Sequence, residues 1–358
     1  MEELCYRFPI LGQLVFNNLD DQSLYNCQEA SREVSQFVIN DRFFWIRIIQ
    51  KYYKNLAEFQ SSWEKVIQKT SAAILKQLAI AVHHFFKMRR NYTNTLQWSP
   101  FHIVAESGLV SLCKHVYCKT NTHQLVIENK IGGTALHLAA GSGNMEIYQF
   151  MMGKVENKNP AFNNGATPLH FAAQQGYFGI CQIIIGCSEN TNPSDSSNMT
   201  PLHYGAKSGH FEICRLIMDT LKNKNPASLE GWTPLHFSAH EGHLEVCRLI
   251  MDTLENKNPG DNDGQTPLHL SAEFGHLETC RLIMDTLQNK NPADVSGWTP
   301  LHHAAHNGHL TICQIIIDTL KDRNPAGNQG ITPLQLASAK GYLEVCKLIQ
   351  CKKQKCTR

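Results

Sequence analysis

The stretch that decides the fold runs from Gly231 to His269 and reads GWTPLHFSAHEGHLEVCRLIMDTLENKNPGDNDGQTPLH. Its opening phrase, Thr-Pro-Leu-His at Thr233, returns at Thr266 after 33 residues and at Thr299 after a further 33. A sequence that repeats itself at a fixed period of this length predicts an array of stacked supersecondary units. Each unit in such an array contacts only its neighbours, so the period decides the architecture before any single residue does.

The period extends in both directions from this stretch. Eight copies of the phrase, here called repeats 1 to 8, begin at Ser99, Thr134, Thr167, Thr200, Thr233, Thr266, Thr299 and Thr332. Every step between them is 33 residues except the first, which is 35. The repeats therefore occupy residues 97–358 and leave a separate N-terminal part.

Each copy carries the signals of a helical hairpin, as repeat 5 illustrates. Thr233 suits an N-cap, and Pro234 suits the first helical position because no N–H is needed there. Gly242 suits the left-handed residue that ends a short first helix. Apolar residues then recur at helical spacing from about His243, until Asn258, which precedes a proline, disfavours further helix. One such hairpin buries only part of its apolar surface, so the copies are expected to stack.

The 33-residue period, the phrase Gly-x-Thr-Pro-Leu-His-x-Ala-Ala and the Gly-His between the helices resemble the ankyrin repeat. The resemblance implies an all-α solenoid of about eight helical hairpins joined by turns or β-hairpin tips. The chain departs from the family after the second helix, where it has Asp-Thr-Leu-x-Asn-Lys-Asn-Pro in place of Gly-Ala. We expect the second helix to run about one turn longer for that reason.

Eleven of the 18 histidines occupy two recurring positions of the repeat. They are the motif histidines His102, His137, His170, His203, His236, His269 and His302, and the histidines after the interhelical glycine, His210, His243, His276 and His309. The regular spacing indicates a structural role, and the resemblance implies hydrogen bonds within and between repeats. A catalytic role would need a second convergent group beside them.

Seven cysteines also occupy one repeated position. Each lies 14 residues after the Ser or Thr of its repeat, at Cys113, Cys181, Cys214, Cys247, Cys280, Cys313 and Cys346. Neighbouring helices pack ~8–10 Å apart, whereas a disulfide needs Cα atoms within ~7 Å. The pattern predicts small buried thiols on an apolar helix face, and therefore a reducing compartment.

The bulk composition gives little sign of chemistry or of a special partner. The 358 residues are 42% apolar and carry a formal net charge of +2, which provides no general attraction to nucleic acid or to an anionic membrane. The sequence has no run of 18 apolar residues, and its first residues lack a basic, apolar leader, so we expect a cytoplasmic or nuclear protein. It contains no catalytic motif, phosphate loop or metal-ligand cluster. We expect neither enzymatic activity nor a cofactor.

Residues 1–55 carry apolar side chains at intervals of three and four, which predicts short amphipathic helices. Five elements follow one another along this segment: Phe8-Pro9, Leu14-Val15-Phe16, Leu19-Asp20-Asp21-Gln22-Ser23-Leu24, Ala30-Ser31-Arg32-Glu33-Val34 and Phe44-Trp45. Their order resembles that of the F-box. The segment departs from the motif where Phe8 replaces the usual Leu and where Val34 stands at the usual place of Trp.

The F-box resemblance implies binding to the Skp adaptor of cullin-based ubiquitin ligases. The apolar contact would be made by Pro9, Leu11, Leu14, Phe16, Leu19, Leu24, Val34 and Trp45. The alternative is a small helical cap that merely seals the repeat stack, because so short a segment buries little core alone.

Residues 56–96 are predicted to be a helical linker between the two modules. The sequence from Ser61 to Arg89 contains no Gly or Pro, and its apolar residues recur near the helical period. We expect one or two helices that pack against the first repeat. A membrane-surface helix is the alternative, but the basic residues around it are scattered rather than confined to one face.

The resemblance also implies where a partner would bind, since stacked repeats of this family capture proteins on a concave groove formed by the turns and first helices. Tryptophan is a frequent interface anchor, and Trp232 and Trp298 precede the Thr of repeats 5 and 7, on either side of Gln265 in repeat 6. The predicted contact patch consists of Trp232, Trp298, Gln265, His240, Phe274, His306 and Lys207. The alternative is that each ring lies flat on a neighbouring turn, in which case truncating it would lower the melting temperature.

The sequence thus predicts a protein-binding adaptor that is a monomer outside its complex and binds neither nucleic acid nor membrane. The first hypothesis is a substrate receptor that holds an unidentified target protein in the groove and docks on a Skp–cullin complex. The second is a non-ligase scaffold or anchoring protein whose N-terminal helices only cap the repeats.

Overall fold

The computed structural model describes residues 70–88, 97–120 and 125–351, together with Trp45, Ile46, Ile49, Gln50, Trp63, Val66 and Ile67. Within these residues there are seventeen α-helices and no β-strand. The all-α prediction is confirmed for this part of the chain. The chain divides between Asn163 and Asn164 into two compact units.

The helices are numbered in chain order. They are α1 (Ala72–Met88), α2 (Pro100–Ser107), α3 (Val110–Lys119), α4 (Ala135–Gly141), α5 (Met145–Met152), α6 (Pro168–Gln175), α7 (Phe178–Cys187), α8 (Pro201–Lys207), α9 (Phe211–Met218), α10 (Pro234–Glu241), α11 (Leu244–Met251), α12 (Pro267–Glu273), α13 (Leu277–Thr286), α14 (Pro300–His306), α15 (Leu310–Thr319), α16 (Pro333–Lys340) and α17 (Leu343–Gln350). From α2 onward they pair into eight hairpins, one in each repeat.

The first unit contains α1 and the hairpins of repeats 1 and 2. Helix α1 packs against both helices of repeat 1, and it buries Leu75 and Leu78 completely. The hydroxyl of Thr70 lies 3.0 Å from Nε2 of His115 in α3. Residues 56–96 therefore contain a helix that lies against the first repeat, and the assignment of this segment as a linker stays a prediction.

Trp45 is the one predicted adaptor-binding residue that the structure describes. Its side chain is 3% exposed, and the ammonium group of Lys76 lies 5.9 Å from its ring centroid. The other seven lie outside the described residues: Pro9, Leu11, Leu14, Phe16, Leu19, Leu24 and Val34.

The second unit contains repeats 3 to 8. The first helices of successive repeats pack on one another, and the second helices do the same. Helix α10 buries Leu235 and Ala239, while helix α11 buries Cys247 and Ile250. The cysteines lie where the period predicts, and burial raises the pKa of the Cys247 thiol to about 12. Such thiols stay protonated and unreactive.

Two physical constraints favour glycine after the first helix, as Gly242 illustrates. Its φ of 77° lies in the left-handed region, which costs other L-residues conformational energy. A Cβ atom at this position would also lie 2.4 Å from Nδ1 of His276 in the next repeat. The glycine therefore provides both the helix end and the close approach between repeats.

In repeat 1 and in repeats 3 to 7, the motif histidine joins the repeat to the one that follows. The backbone N–H of Thr233 donates to Nδ1 of His236 at 3.1 Å, so Nδ1 is the acceptor. Nε2 then carries the proton and donates to the carbonyl oxygen of Gln265 at 3.1 Å. The same bond, 2.7–3.2 Å long, recurs from His102, His170, His203, His269 and His302 to the residue before the next Thr.

The second set of histidines joins each repeat to the one before. Nε2 of His243, which precedes α11, donates to the carbonyl oxygen of Lys207 at 3.0 Å. His210, His276 and His309 make the equivalent bond to the end of the preceding first helix at 2.8–3.0 Å. Both sets of recurring histidines thus link repeats along the stack, in opposite directions, as a structural role requires.

The prediction of a longer second helix is wrong. Helices α9 and α11 end at Met218 and Met251, before the Asp-Thr-Leu-x-Asn-Lys-Asn segment. Helices α13 and α15 include only the Asp and Thr of the corresponding segment and end at Thr286 and Thr319, which is less than one added turn. The ammonium group of Lys224 folds back to the carbonyl oxygen of Met218 at 2.7 Å and so satisfies the helix C-terminus.

The asparagine before the proline has a capping role in this segment. Oδ1 of Asn258 accepts the backbone N–H of Leu268, at the start of α12, at 3.0 Å. Asn192, Asn225, Asn291 and Asn324 make the same bond to their own following repeats. The unusual segment therefore closes one helix and caps the next.

Removing this cap is expected to destabilise the repeats. Asn258→Ala leaves the Leu268 N–H without its acceptor and should lower the free energy of unfolding by about 1 kcal/mol. Urea unfolding followed by circular dichroism measures the change. The exposed neighbour Glu255 provides the control, since Glu255→Ala should stay within about 0.5 kcal/mol of wild type. Equal effects of the two substitutions would contradict the capping role.

The motif histidines make the fold sensitive to acid. Burial, above all, lowers the pKa of His170, His203 and His269 from 6.5 to about 4. The unfolded chain therefore binds protons at a higher pH than the folded chain. The stabilisation is fully present above pH 6.5 and is lost as the pH falls towards 4.

A glutamine substitution at a motif histidine distinguishes the effect of histidine protonation from that of the N-cap hydrogen bond. In repeat 8 the natural Gln335 accepts the backbone N–H of Thr332 at 2.9 Å, so His269→Gln keeps an N-cap acceptor without a titrating group. It should lower stability at pH above 7 by about 1 kcal/mol, because the bond to Trp298 is lost. It should also reduce proton uptake on acid unfolding by about one. Urea unfolding measured from pH 4 to above pH 7 tests both effects. If His269→Gln left the pH dependence of stability unchanged, His269 would not be a source of the acid sensitivity.

Candidate functional site

Helical spacing divides the first helix of every repeat into an inner and an outer face. In α10, Leu235, His236 and Ala239 are buried, whereas Phe237 and His240 remain partly exposed. Residues three or four apart lie on the same side of a helix, so the fourth, seventh and eighth residues after each Thr share the outer face. We call the surface formed by the turns and these outer positions the groove face.

On repeats 4 to 6 the groove face carries a continuous aromatic cluster. The Trp232 ring centroid lies 5.0 Å from that of Phe237 and 5.6 Å from that of His240. His240 lies 4.0 Å from Phe274 of the next repeat, and the ammonium group of Lys207 lies 5.8 Å from the Phe237 ring. The structure thus brings together four of the predicted contact residues.

On repeats 6 and 7 the groove face carries a second cluster around Trp298. Its ring lies 5.4 Å from His303 and 6.1 Å from His306. Nδ1 of His303 lies 3.2 Å from a carboxylate oxygen of Glu273, and its Nε2 lies 3.9 Å from a carboxylate oxygen of Asp294. Trp298 and His306 are therefore placed together as predicted, beside groups that the sequence did not single out.

Glu273 lies between the two clusters. The hydrogen bond from His303 is the main cause of a lowered Glu273 pKa, and the charges of His303, His240 and His306 act in the same direction against partial burial. One carboxylate is therefore close to histidines of repeats 5 and 7. We call the joined clusters the aromatic–histidine surface, which consists of Trp232, Phe237, His240, Phe274, Trp298, His303 and His306.

The two tryptophans also pack on their own chain. Trp232 stacks on His236 with centroids 6.2 Å apart, and Trp298 stacks on His302 at 5.9 Å. A Cβ atom at Gly327 would lie 3.2 Å from the Trp298 ring, so this ring covers the following turn. The geometry thus supports the alternative given above, in which truncating either ring also lowers stability.

The most exposed apolar side chains of the groove face are not the tryptophans. Phe274 is 47% exposed, and the turn residues Leu229 and Val295 are 67% and 70% exposed. Leu229 and Val295 were missed by the sequence reasoning. They occupy the fourth position before the Thr, where repeats 4, 6 and 8 have Ser or Asn. A comparison of the residues at this position across the repeats would have shown that repeats 5 and 7 are apolar there.

Gln265 is fixed by its main chain. Its carbonyl oxygen accepts the bond from His236, and its N–H donates to the Asp261 carboxylate at 2.8 Å. Its side chain is left half-buried on the turn of repeat 6. The main chain of Gln265 therefore has a structural role. Because Gln265 belongs to repeat 6, it lies between Trp232 of repeat 5 and Trp298 of repeat 7 in the order of the repeats.

The fourth residue after the Thr is the position that the sequence reasoning overlooked. It is Phe237 in repeat 5 and His303 in repeat 7, and in repeat 4 it is Tyr204. The Tyr204 hydroxyl donates to the Asp195 carboxylate at 2.9 Å, and burial followed by this bond raises its pKa to about 12. This position differs between repeats that are otherwise nearly identical, and that variation in the sequence would have indicated a candidate binding position.

A separate cavity of about 420 Å³ lies in the first unit, between α1 and repeat 1. Ile80, Ile103 and Leu109 are among the residues that line it, and its wall is mainly apolar. His84, Glu106, Ser107 and Ser142 also contribute to the lining. The aromatic–histidine surface is the stronger candidate.

Neither a metal site nor a membrane-spanning helix is found in the described part of the chain. Its His, Cys, Asp and Glu side chains form no group of three that could hold a metal ion. None of the helices between residues 70 and 351 that the structure describes is long and apolar enough to cross a bilayer.

Comparison with known proteins agrees with the hairpin architecture. A family model described as ankyrin repeats (3 copies) matches residues 101–195, 153–228, 219–294 and 284–358. No curated protein matches the chain. The matched segments together run from residue 101 to residue 358, which is well over half of the sequence. Ankyrin repeats indicate a role in binding other proteins, and this chain belongs to the ankyrin-repeat family.

Proposed function

We propose that this chain is a protein-binding adaptor whose target docks on the aromatic–histidine surface of repeats 5 to 7. The observation that carries the proposal is the run of touching rings from Trp232 through His240 to Phe274, which crosses from one repeat to the next. Contiguous exposed apolar surface of this kind marks interaction sites, and tryptophan is enriched among the residues that dominate binding energy. The adaptor itself performs no chemical step.

We further propose that the bound target is delivered to a Skp–cullin ubiquitin ligase. The support is the F-box-like order of elements in residues 1–55. An adaptor that holds ligase and target together acts by raising the effective concentration of one at the other. This function belongs in the cytoplasm or nucleus, where buried thiols such as Cys247 and Cys280 stay reduced.

A second candidate is a non-ligase scaffold in which the N-terminal helices only cap the repeats. The observation that favours it is the burial of Trp45, which is 3% exposed. Trp63 and Val66 are also fully buried. A tryptophan that packs inside its own chain is not free to enter an adaptor pocket, so Trp45 fits a cap better than a docking residue.

Binding to the purified Skp adaptor distinguishes the two candidates. The wild-type chain should be retained by immobilised adaptor, and Leu14→Ala/Leu24→Ala should weaken retention at least about tenfold, because these leucines would form the apolar contact. Phe274→Ala, on the groove face, serves as the control and should be retained like wild type. Failure of the wild-type chain to bind would leave the scaffold as the better function.

Target capture tests the groove face separately. The double variant Phe274→Ala/Val295→Ala, here called the groove variant, removes exposed side chains and should unfold within about 1 kcal/mol of wild type. It should lose at least about tenfold in affinity for a captured protein. Leu310→Ala is the matched control, since this apolar residue is 42% exposed on a second helix.

Affinity-purified complexes followed by mass spectrometry measure the difference. The relevant proteins are those retained by wild type and by Leu310→Ala but lost by the groove variant. Capture that is equal for all three chains would contradict the assignment of the groove face. Loss by Leu310→Ala alone would move the binding surface to the second helices.

A further inference from the structure

Lysine and arginine are absent from the groove face of repeats 5 to 7. The turns and first helices of these repeats occupy residues 226–242, 259–275 and 292–308, all of which the structure describes. These stretches contain no Lys or Arg but six carboxylates, Glu230, Glu241, Asp261, Asp263, Glu273 and Asp294. Within these repeats, therefore, the groove face is acidic.

The same repeats carry both signs of charge on their second helices. Arg248 lies 4.0 Å from Glu245, and Arg281 lies 3.8 Å from Glu278, as exposed pairs one helical turn apart. The chain as a whole has a formal charge of +2. The acidity of the groove face is therefore a property of one face and does not follow from the overall composition.

The corner around His303 contains two carboxylates and a buried imidazole nitrogen without a hydrogen-bond partner. The His303 side chain is 9% exposed, and its Nδ1 faces Glu273 at 3.2 Å. Its Nε2 is buried without a hydrogen-bond partner, 3.9 Å from the Asp294 carboxylate. The Asp294 carboxylate accepts the backbone N–H of Trp298 at 2.8 Å, whereas the Glu273 side chain is 33% exposed. The unpartnered Nε2 and the accessible Glu273 carboxylate indicate that this corner can take a further polar group from a ligand.

The aromatic rings beside these carboxylates favour the same kind of ligand. Cations are attracted to the faces of Trp and Phe rings, and guanidinium and ammonium groups also form charge-assisted hydrogen bonds with carboxylates. Lys207 already lies over the Phe237 ring at the edge of the surface. A cationic side chain can therefore lie over an aromatic ring on this surface. The turns and first helices of repeats 5 to 7 contain no Lys or Arg that could do the same for the Trp232, Phe274 and Trp298 rings.

We propose that the partner of the aromatic–histidine surface is a basic protein segment, whose Lys or Arg side chains meet Glu230, Asp263 and Glu273. This rests on the proposed function, since it specifies the chemistry of the target. Packed helices are roughly 8–10 Å apart, so the turns of repeats 5 and 7 lie roughly 16–20 Å apart. An extended chain rises about 3.3 Å per residue. Apolar side chains about six residues apart would then reach Leu229 and Val295.

Selection from a random peptide library tests the charge of the ligand. A phage-displayed library of about twelve-residue peptides is selected on the immobilised full-length chain, with prior depletion on the groove variant. Enriched peptides should carry Lys or Arg and a positive net charge. Their affinity should fall at least about tenfold between about 50 and about 500 mM NaCl, because exposed charge pairs are screened.

Charge reversal on two exposed turns provides the matched comparison. Glu230→Lys/Asp263→Lys should weaken an enriched peptide at least about tenfold. Glu245→Lys/Glu278→Lys changes the net charge equally on the second helices and should leave the affinity within about twofold. Circular dichroism and thermal unfolding of both variants verify that the fold is kept.

The possible outcomes separate this inference from the proposed function. Peptides that depend on the groove face but are neutral or acidic would overturn the basic partner and leave the adaptor function standing. Equal weakening by both charge-reversed variants would also overturn it, since the effect would then come from net charge alone. A selection that yields no groove-dependent peptide would count against both.

Discussion

The structure depends on the hydrogen bonds that histidine makes between repeats. Six of the seven motif histidines use Nδ1 to hold the start of their own helix and Nε2 to reach the next repeat, as His236 does with Thr233 and Gln265. The histidine after the interhelical glycine reaches back to the previous repeat, as His276 does to His240. Repeats 4 to 7 are each fixed from both sides in this way, and the bonds require neutral imidazoles of one tautomer.

This arrangement leaves particular positions free to vary. Thr, Pro, Leu and His make the bonds of the scaffold, and the residue before the Thr contributes to them only through its main chain, as Gln265 does. The side chains at that position and at the outer positions of the first helix are therefore not specified by the repeat. These are the positions that differ between repeats 5, 6 and 7, where Trp232, Gln265 and Trp298 alternate. The aromatic–histidine surface consists largely of these variable residues. They lie side by side because equivalent positions of successive repeats are neighbours in the stack.

The surface combines features that are separately ordinary. Exposed aromatic residues occur on many proteins, and so do scattered carboxylates. Here Phe274 and Glu273 are adjacent in the chain, and each contacts a histidine of a neighbouring repeat, His240 in one direction and His303 in the other. Apolar area would supply affinity, while one sign of charge would select the partner and steer its approach.

The sequence by itself determined the repeats, the hairpins, the helix-ending glycines and the buried thiols, because each follows from short-range backbone rules and apolar spacing that recur every 33 residues. It also singled out Trp232 and Trp298 as candidate contact residues, which remains a prediction. Only the tertiary structure decided where the second helix ends, since Lys224 finds the carbonyl of Met218 only after the chain has turned back. The meeting of His303 with Glu273 and Asp294, and the exposure of Leu229 and Val295, were likewise decided there. The physical reason is that the period specifies which residues are equivalent, whereas the packing of one repeat on the next specifies which of them touch.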